Sequence, residues 1–284
     1  MSVKPRAAPA SSALAPELRD AVDWLERHAT QKTREGMARF GIVAPSALGV
    51  TVGDVRALGK RIGRRHELAE ALWSTGIYEA RLLAAFVADP GELSPKQMDA
   101  WCRDFDNWAV CDTLCFHLFD RSAHAFARVE AWSAKRDEFV KRAAFALLAS
   151  LALHDRRSDD AAFVACLPLI EAGASDERNF VKKAVSWALR GVGARSRALH
   201  AACLELAARL ATAGTAARWV GKDALRDLTR PKVRAALAVR EARRKAPTGS
   251  AAKKRPSPTT PRKKVKKKAK KAGNKTARRA SSSR

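Results

Sequence analysis

An acidic residue inside an otherwise apolar segment is the first candidate for chemistry in this sequence. Residues 107–119 read NWAVCDTLCFHLF, and Asp112 lies in the middle of that run. In a helix, Trp108 and Asp112 are four residues apart and project from the same face. Such a pair could hold a sugar against the ring and place a negative charge beside it. The alternative is structural: Asp112 would cap a neighbouring helix or pair with a cation of the next repeat.

Two residues further along the chain could join this pair. Arg142 lies in the following predicted hairpin, and Trp187 lies in the one after that, among the small residues of 184–188. A large ring in such a run needs open space or a pocket of its own. If the three helices line one face, two indoles, one carboxylate and one guanidinium would converge, although Trp at such positions more often fills a core.

A metal site is the other chemistry to weigh near Asp112. Cys111 and Cys115 stand one helical turn apart, with His117 close by, but no second pair of ligands follows at a useful spacing. The chain has five Cys, an odd number without a CxxC pair, and all of them fall at apolar positions, as free core thiols do. We therefore expect no metal, no cofactor, no disulfide framework and a reducing compartment.

The elements that must position these residues are predicted to be helical. Ala and Leu fill most apolar positions, β-branched runs are scarce, and only 6% of the residues are aromatic, so local preference favours helix nearly everywhere. Pro16 is predicted to open a helix that runs to about Ala29. Other helix starts are predicted where a capping residue precedes an acidic or amide residue: Thr51 with Asp54, Ser94 with Gln97, Ser158 with the two Asp that follow, and Ser175 with Asp176 and Glu177. Helix ends in a left-handed conformation are predicted at five glycines: Gly41, Gly76, Gly91, Gly173 and Gly193.

A repeated segment predicts how the helices are arranged. Residues 139–143 read FVKRA, and 41 residues later 180–184 read FVKKA, a spacing typical of helical-hairpin repeats. The predicted fold is all-α, an α-solenoid of HEAT-like helical hairpins curved like a horseshoe. Stacked hairpins would align cations into a groove that follows phosphates, whereas the alternative is that these cations are only the solvated backs of amphipathic helices. The predicted DNA contacts are Arg81, Lys141, Lys182, Lys183, Arg190, Lys222 and Arg226.

The charge balance indicates a polyanionic partner. The net charge is +26, and 16 of the 55 basic residues lie in 245–284, which has no acidic residue. Removing those 16 leaves 39 basic against 29 acidic residues, or +10. Nucleic acid is favoured over membrane, because no helix joins a wide basic face to a face of Trp and Phe. We predict a disordered segment at 1–15, one repeat domain at 16–244 and a disordered basic tail at 245–284. We expect no signal peptide or membrane span and a cytoplasmic location, which in a bacterium would be nucleoid-associated.

Longer motifs resemble one family. The strings FGI (40–42), SALGVTVGDVRALGKRIG (46–63), HELAEALWSTGIYEARLLAAFVADP (66–90), WCRDFDNWAVCDTLC (101–115), FVKRAAFALLASLALHD (139–155) and DERNFVKKAVSWALR (176–190) resemble the AlkD family of DNA alkylation repair glycosylases. The resemblance covers about residues 17–232. The most specific part is the WxxxD element with the downstream Arg and Trp, and the Lys-rich tail departs from the family pattern.

The resemblance implies an activity and a set of roles. It implies a horseshoe that holds duplex DNA and excises N3- or N7-alkylated purines without a metal and without flipping the base. Asp112 would be the catalytic carboxylate, Trp108 and Trp187 the walls against the deoxyribose, and Arg142 the cation that supports the site. We expect a monomer that acts on double-stranded DNA containing alkylated purines.

Two alternatives remain at this stage. A HEAT-like repeat protein can bind nucleic acid or protein without catalysis, because a fold alone does not imply an activity. A peptide-binding adaptor similar to nuclear import factors would need acidic groove walls for basic cargo, which the basic body of this chain disfavours.

Overall fold

Helices make up the regular structure of the computed structural model, which describes residues 14–245. Within that range it contains two 3-10 turns, Ala38–Phe40 and Phe119–Arg121, and no strand. The α-helices are α1 (Leu14–Arg27), α2 (Gln31–Met37), α3 (Val52–Ile62), α4 (His66–Ser74), α5 (Tyr78–Val87), α6 (Pro95–Arg103), α7 (Trp108–His117), α8 (Ala125–Ser133), α9 (Glu138–His154), α10 (Asp160–Val164), α11 (Leu167–Gly173), α12 (Asn179–Gly193), α13 (Arg197–Ala211), α14 (Thr215–Leu228) and α15 (Pro231–Lys245). The predicted disordered segments 1–15 and 245–284 lie outside the described residues, apart from their innermost positions.

One helix from each hairpin packs against its counterpart in the next. In chain order α5, α7, α9, α12 and α14 each contact the following member, and we call these five helices the inner row. Helices α4 and α8 each pack against one member of the row, whereas α13 packs against both α12 and α14, and these helices complete the hairpins. This arrangement confirms the predicted all-α solenoid of helical hairpins. No helix in the described range is long and apolar enough to cross a membrane.

The repeated FVKRA and FVKKA segments open two adjacent helices of the inner row. Phe139 and Phe180 are the second residues of α9 and α12, and their ring centroids are 5.5 Å apart. Small residues allow the two helices to approach closely: a Cβ on Gly191 of α12 would lie 3.5 Å from the Cα of Ala149 on α9. The 41-residue spacing therefore reports a true structural repeat.

Several predicted helix starts are confirmed and others are wrong. Thr51 and Ser94 accept hydrogen bonds from the backbone N–H three residues on, as capping requires. The cap of α10 is Asp159 rather than Ser158, and α12 begins at Asn179 rather than just after Ser175. Asp176 instead accepts hydrogen bonds from the backbone N–H and the guanidinium of Arg178. Helix α1 also begins at Leu14, two residues before Pro16. Proline is tolerated at this position because N–H groups in the first turn of a helix have no helical partner.

Glycines at helix ends have two different roles. Gly41 and Gly76 have φ of 66° and 72°, the left-handed conformation that was predicted. Gly91, Gly173 and Gly193 do not, so the prediction is wrong there. Space explains two of the three: a Cβ on Gly173 would lie 2.4 Å from the ring of Phe145, and one on Gly193 would lie 2.9 Å from the Cβ of Cys203.

A buried carboxylate fixes the loop before α3. Glu79 of α5 is fully buried and accepts hydrogen bonds from the backbone N–H groups of Leu48, Gly49 and Val50, at 2.7–3.2 Å. These bonds satisfy a carboxylate that would otherwise be unpaired in the core. They also tie residues 48–50 to the first helix of the inner row.

Candidate active site

A bidentate ion pair between adjacent helices forms the centre of the site. Arg142 of α9 donates from Nε to Asp112 Oδ1 at 2.9 Å and from Nη2 to Asp112 Oδ2 at 2.6 Å. Its Nη1 donates to the backbone oxygen of Phe180 on α12, at 2.7 Å. The guanidinium thus bridges three consecutive helices of the inner row, and this fork geometry holds a carboxylate in one orientation.

The carboxylate of this pair is still reached by solvent. The side chain of Asp112 is 19% exposed, whereas that of Arg142 is 7% exposed. Burial raises the pKa of the Asp112 carboxyl, and the charge and hydrogen bonds of Arg142 oppose that rise. The Asp112 charge in turn raises the pKa of Arg142 against the effect of its own burial, so the guanidinium stays charged. The predicted structural role of Asp112, pairing with a cation of the next repeat, is therefore present together with an accessible carboxylate.

Aromatic residues flank Asp112 along one stripe of α7. Trp108, Asp112 and Phe116 follow one another at four-residue spacing, and all three are partly exposed. Trp187 of α12 stacks on Phe116, with ring centroids 6.4 Å apart and planes inclined by 23°. The Asp112 carboxylate therefore lies on α7 between the indole of Trp108 and the ring of Phe116. The indole of Trp187 stacks on that ring.

A loop from the N-terminal part of the chain reaches this stripe. The indole Nε1 of Trp108 donates to the backbone oxygen of Phe40 at 3.0 Å. The side chain of Phe40 itself is 70% exposed. This hydrogen bond fixes the plane of the Trp108 ring and joins two segments that are 68 residues apart in the sequence.

The two cysteines beside Asp112 belong to the core. Cys111 and Cys115 are fully buried, and their thiols lie against the backbone oxygens of Phe139 and Ala143 on α9 at 3.8 and 3.5 Å. Burial raises the pKa of the Cys115 thiol, so it stays protonated. Both residues thus pack α7 against α9.

Comparison with known proteins identifies the family to which this chain belongs. Residues 22–228 match a family model described as DNA alkylation repair enzyme, which is well over half of the chain. The chain belongs to the DNA alkylation repair enzyme family. No curated protein matches the chain. A solved structure matches it with a TM-score of 0.62 and 22% identity, covering 74% of this chain and 94% of the other. That protein is described as one of a new family related to the HEAT-like repeat DNA glycosylases, with affinity for branched DNA structures.

The family match confirms the resemblance found in the sequence. The matched range contains Trp108, Asp112, Arg142 and Trp187. As a member of the DNA alkylation repair family, the chain has the HEAT-like fold that was predicted for it. The roles of the four residues stay predictions that rest on the geometry described above.

The predicted DNA-contacting cations differ in how free their side chains are. Lys183 and Lys222 are exposed and make no hydrogen bond or ion pair with any described residue. Lys182 lies over the ring of Trp219 at 5.6 Å. Four others are engaged within the protein: Arg81 with Trp73 and the Asp104 carbonyl, Lys141 with Asp176, Arg190 with Asp223 and Asp227, and Arg226 with Asp223. Lys183 and Lys222 are the cations with the least internal competition for a phosphate.

Sequence reasoning missed three partners of the site. Phe116 could have been found, because it continues the four-residue spacing of Trp108 and Asp112. The backbone oxygens of Phe40 and Phe180 leave no sequence signal, since any residue at those positions supplies the same acceptor. Only the packing of the helices and the loop brings them to Trp108 and Arg142.

Proposed function

We propose that this member of the DNA alkylation repair family is a glycosylase that hydrolyses the N-glycosidic bond of N3- or N7-alkylated purines in duplex DNA. The observation that carries the proposal is the solvent-accessible Asp112 carboxylate, held by Arg142 at 2.6 and 2.9 Å on an aromatic stripe. The basic composition of the chain and its family membership support DNA as the partner. The protein acts as a monomer in this proposal.

A single carboxylate is sufficient for this chemistry. Glycoside hydrolysis normally needs one carboxyl group to protonate the leaving group and a second to stabilise the sugar cation or activate water. Alkylation at N3 or N7 already makes the purine cationic, so the bond to C1′ breaks with its electron pair moving onto the base. The base leaves neutral, and the positive charge passes to the sugar.

Asp112 would act on the sugar rather than on the base. Its carboxylate stabilises the oxocarbenium ion and orients a water molecule, whose oxygen bonds to C1′ while its proton passes to the carboxylate or to solvent. At about 4 Å and an effective dielectric near 20, such a charge pair is worth roughly 4 kcal/mol, close to a thousandfold in rate. That stabilisation counts only to the extent that it is stronger in the transition state than in the ground state.

The neighbouring side chains would complete the site. Arg142 fixes both carboxylate oxygens and is therefore a positioning residue. The faces of Trp108 and Trp187 would attract the sugar cation by about 0.5 to 2 kcal/mol each. If the base is not flipped into a pocket, the few kcal/mol of unstacking are avoided, which agrees with a site built on an open helix face.

The deciding experiment measures base release from duplex DNA that contains one N7-methylguanine, scored as abasic sites. Asp112→Asn is expected to lower the single-turnover rate by about a hundred- to a thousandfold while leaving the Kd for DNA within about threefold. Asp20→Asn, an exposed site on α1, is the matched control and is expected to keep the full rate. Unchanged release by the Asp112→Asn protein would rule out the catalytic assignment.

A second candidate function is binding of nucleic acid without catalysis. It is favoured by the solved structure of similar fold, whose protein is described as having affinity for branched DNA structures. It is also consistent with a carboxylate whose two oxygens are both engaged by Arg142. In this case the chain would release no base and would bind a four-way junction at least about tenfold more tightly than a linear duplex of equal length. Gel-shift titration of both DNAs, run beside the release assay, separates the two functions.

A further inference from the structure

A cavity separate from the candidate active site lies beyond the carboxyl-terminal ends of α7 and α9. It has a volume of about 820 Å³ and is bounded by the segment after α7 and the segment after α9. Its lining includes Asp120, Arg121, His154, Arg156, Arg157 and Ser158, and none of the four candidate site residues. We call it the loop cavity. We propose that the loop cavity binds the phosphate group of a nucleotide unit.

The cations of the loop cavity are available to an anion. Arg156 and Arg157 are exposed, and their guanidinium groups make no hydrogen bond or ion pair with any described residue. Arg121 donates to the backbone oxygen of His117 at 2.9 Å, yet 47% of its side chain stays exposed. Guanidinium forks fit the paired oxygens of a phosphate, and three arginines line this cavity.

The two carboxylates of the loop cavity pair with groups other than Arg156 and Arg157. Asp155 accepts from the backbone N–H groups of Arg157 and Ser158 at 2.7 and 3.1 Å, and the hydrogen bonds to it lower its pKa. The side chain of Asp120 is fully buried, and its Oδ2 pairs with Nδ1 of His154 at 2.5 Å. Its Oδ1 makes no hydrogen bond with a described residue and lies 4.0 Å from Nε of Arg121. Neither carboxylate therefore takes up the guanidinium groups of Arg156 or Arg157, which remain free for a ligand.

His154 presents a second polar edge to the cavity. Its Nδ1 is directed to Asp120, its side chain is 32% exposed, and it lines the cavity. The hydrogen bond between Nδ1 and the buried carboxylate of Asp120 fixes the orientation of the imidazole. Nε2, on the opposite edge of the ring, is then the nitrogen that a ligand in the cavity can meet.

The volume of the loop cavity indicates more than a bare phosphate. About 820 Å³ is in the range of small-molecule and cofactor sites. Phe126, Leu151 and Leu153 add apolar walls on which a base or a sugar can pack. The occupant with both properties is a nucleotide, either free or as one unit of a nucleic-acid strand.

An aromatic path connects the loop cavity to the candidate active site. His154 contacts Phe116 edge to face at 4.3 Å, and Phe116 stacks on Trp187 at 6.4 Å. A strand that leaves the groove beside Trp187 could therefore enter the loop cavity. The proposal goes beyond glycosylase activity and does not require it.

Titration calorimetry of the full chain tests the proposal with three probes: inorganic phosphate, dAMP and a 12-nucleotide single-stranded DNA. The test variant is Arg156→Ser/Arg157→Ser, and the control of equal charge is Lys96→Ser/Arg103→Ser, at two exposed cations of α6. We expect the test variant to weaken dAMP binding by at least about tenfold and the control to leave it unchanged, because charge-assisted hydrogen bonds are lost only in the former. His154→Asn, which can still donate to Asp120, is expected to weaken binding by about threefold to tenfold.

The pattern across probes identifies the source of the phosphate. Loss of dAMP and inorganic phosphate binding, with unchanged oligonucleotide affinity, supports a free nucleotide. Loss of oligonucleotide affinity, with a shallower dependence on salt, supports a strand. Absence of binding of all three probes to the unaltered protein, or equal loss in the test and control variants, overturns the proposal. None of the three probes contains an alkylated base, so failure of the glycosylase assay would not be mistaken for failure of this site.

Discussion

Arg142 holds both carboxylate oxygens of Asp112 and, with its third nitrogen, the backbone oxygen of Phe180. One guanidinium therefore sets the orientation of the candidate catalytic group and joins α7, α9 and α12. Structural and catalytic contributions of this pair can be separated because they respond differently to substitution.

Removal of Arg142 is expected to destabilise the protein. Arg142→Ala leaves the Asp112 carboxylate largely buried without a partner and should lower the free energy of unfolding by about 3 kcal/mol, measured by urea denaturation. The double variant Asp112→Leu/Arg142→Met should recover much of this loss, since it removes both charges. A change below about 0.5 kcal/mol in Arg142→Ala would show that the pair does not stabilise the fold.

The pH dependence of base release should report on Asp112. Only the ionised carboxylate stabilises the sugar cation, and burial raises the pKa of this group above its ordinary value of 3.8. Lowering the pH should therefore reduce the single-turnover rate, corrected for acid depurination, at pH values where an exposed Asp is still ionised. Arg142→Met removes the opposing charge, so its acid limb should shift to still higher pH. An acid limb at the same pH in both proteins would contradict the assignment.

The stacked pair Trp187 and Phe116 should affect rate more than binding. Trp187→Ala removes one aromatic face and is expected to lower base release by about 2- to 30-fold. Phe116→Leu keeps an apolar side chain but loses the ring on which Trp187 stacks, so a smaller decrease is expected. The Kd for undamaged duplex, measured by fluorescence anisotropy, should stay within about threefold for both. A loss of affinity equal to the loss of rate would assign these rings to DNA binding alone.

Lys183 and Lys222 should govern the salt dependence of DNA binding. Each phosphate contact adds about 0.9 to the slope of log K against log salt, so Lys183→Ser/Lys222→Ser should lower that slope by about 1.8. The measurement is a duplex titration at several salt concentrations. Lys96→Ser/Arg103→Ser has the same change in charge on α6 and serves as the control. A slope that is equal in the two variants would place the DNA elsewhere.

Glu79 should be important for stability although it is far from the chemistry. Glu79→Gln replaces one of the two acceptor oxygens with an N–H donor, which faces the backbone N–H groups of residues 48–50. The free energy of unfolding is expected to fall by about 2 kcal/mol in urea denaturation. Glu92→Gln, at an exposed position, is the matched control and should be neutral. An equal effect in both would mean that the three hydrogen bonds do not contribute.

The sequence by itself determined the fold class and named the four residues of the candidate site. Helix preference follows from local composition, and the 41-residue recurrence of FVKRA reports a repeat because equivalent helices need equivalent contacts. Trp108 and Asp112 share a face through their spacing alone. The same local reasoning was wrong at Ser175, where Asp176 pairs with Arg178 and α12 begins at Asn179. It was also wrong at Gly173, where a Cβ would meet the ring of Phe145.

Only the tertiary structure decided which groups meet. The sequence placed Asp112 and Arg142 in neighbouring hairpins but could not show their bidentate ion pair. The geometry of that pair depends on how α7 packs against α9. Nor could it separate the free Lys183 from Lys141, which Asp176 neutralises at 3.0 Å. The charge of each side chain and the spacing along a helix follow from the sequence. The partner of each charge is set by contacts between residues that are distant in sequence.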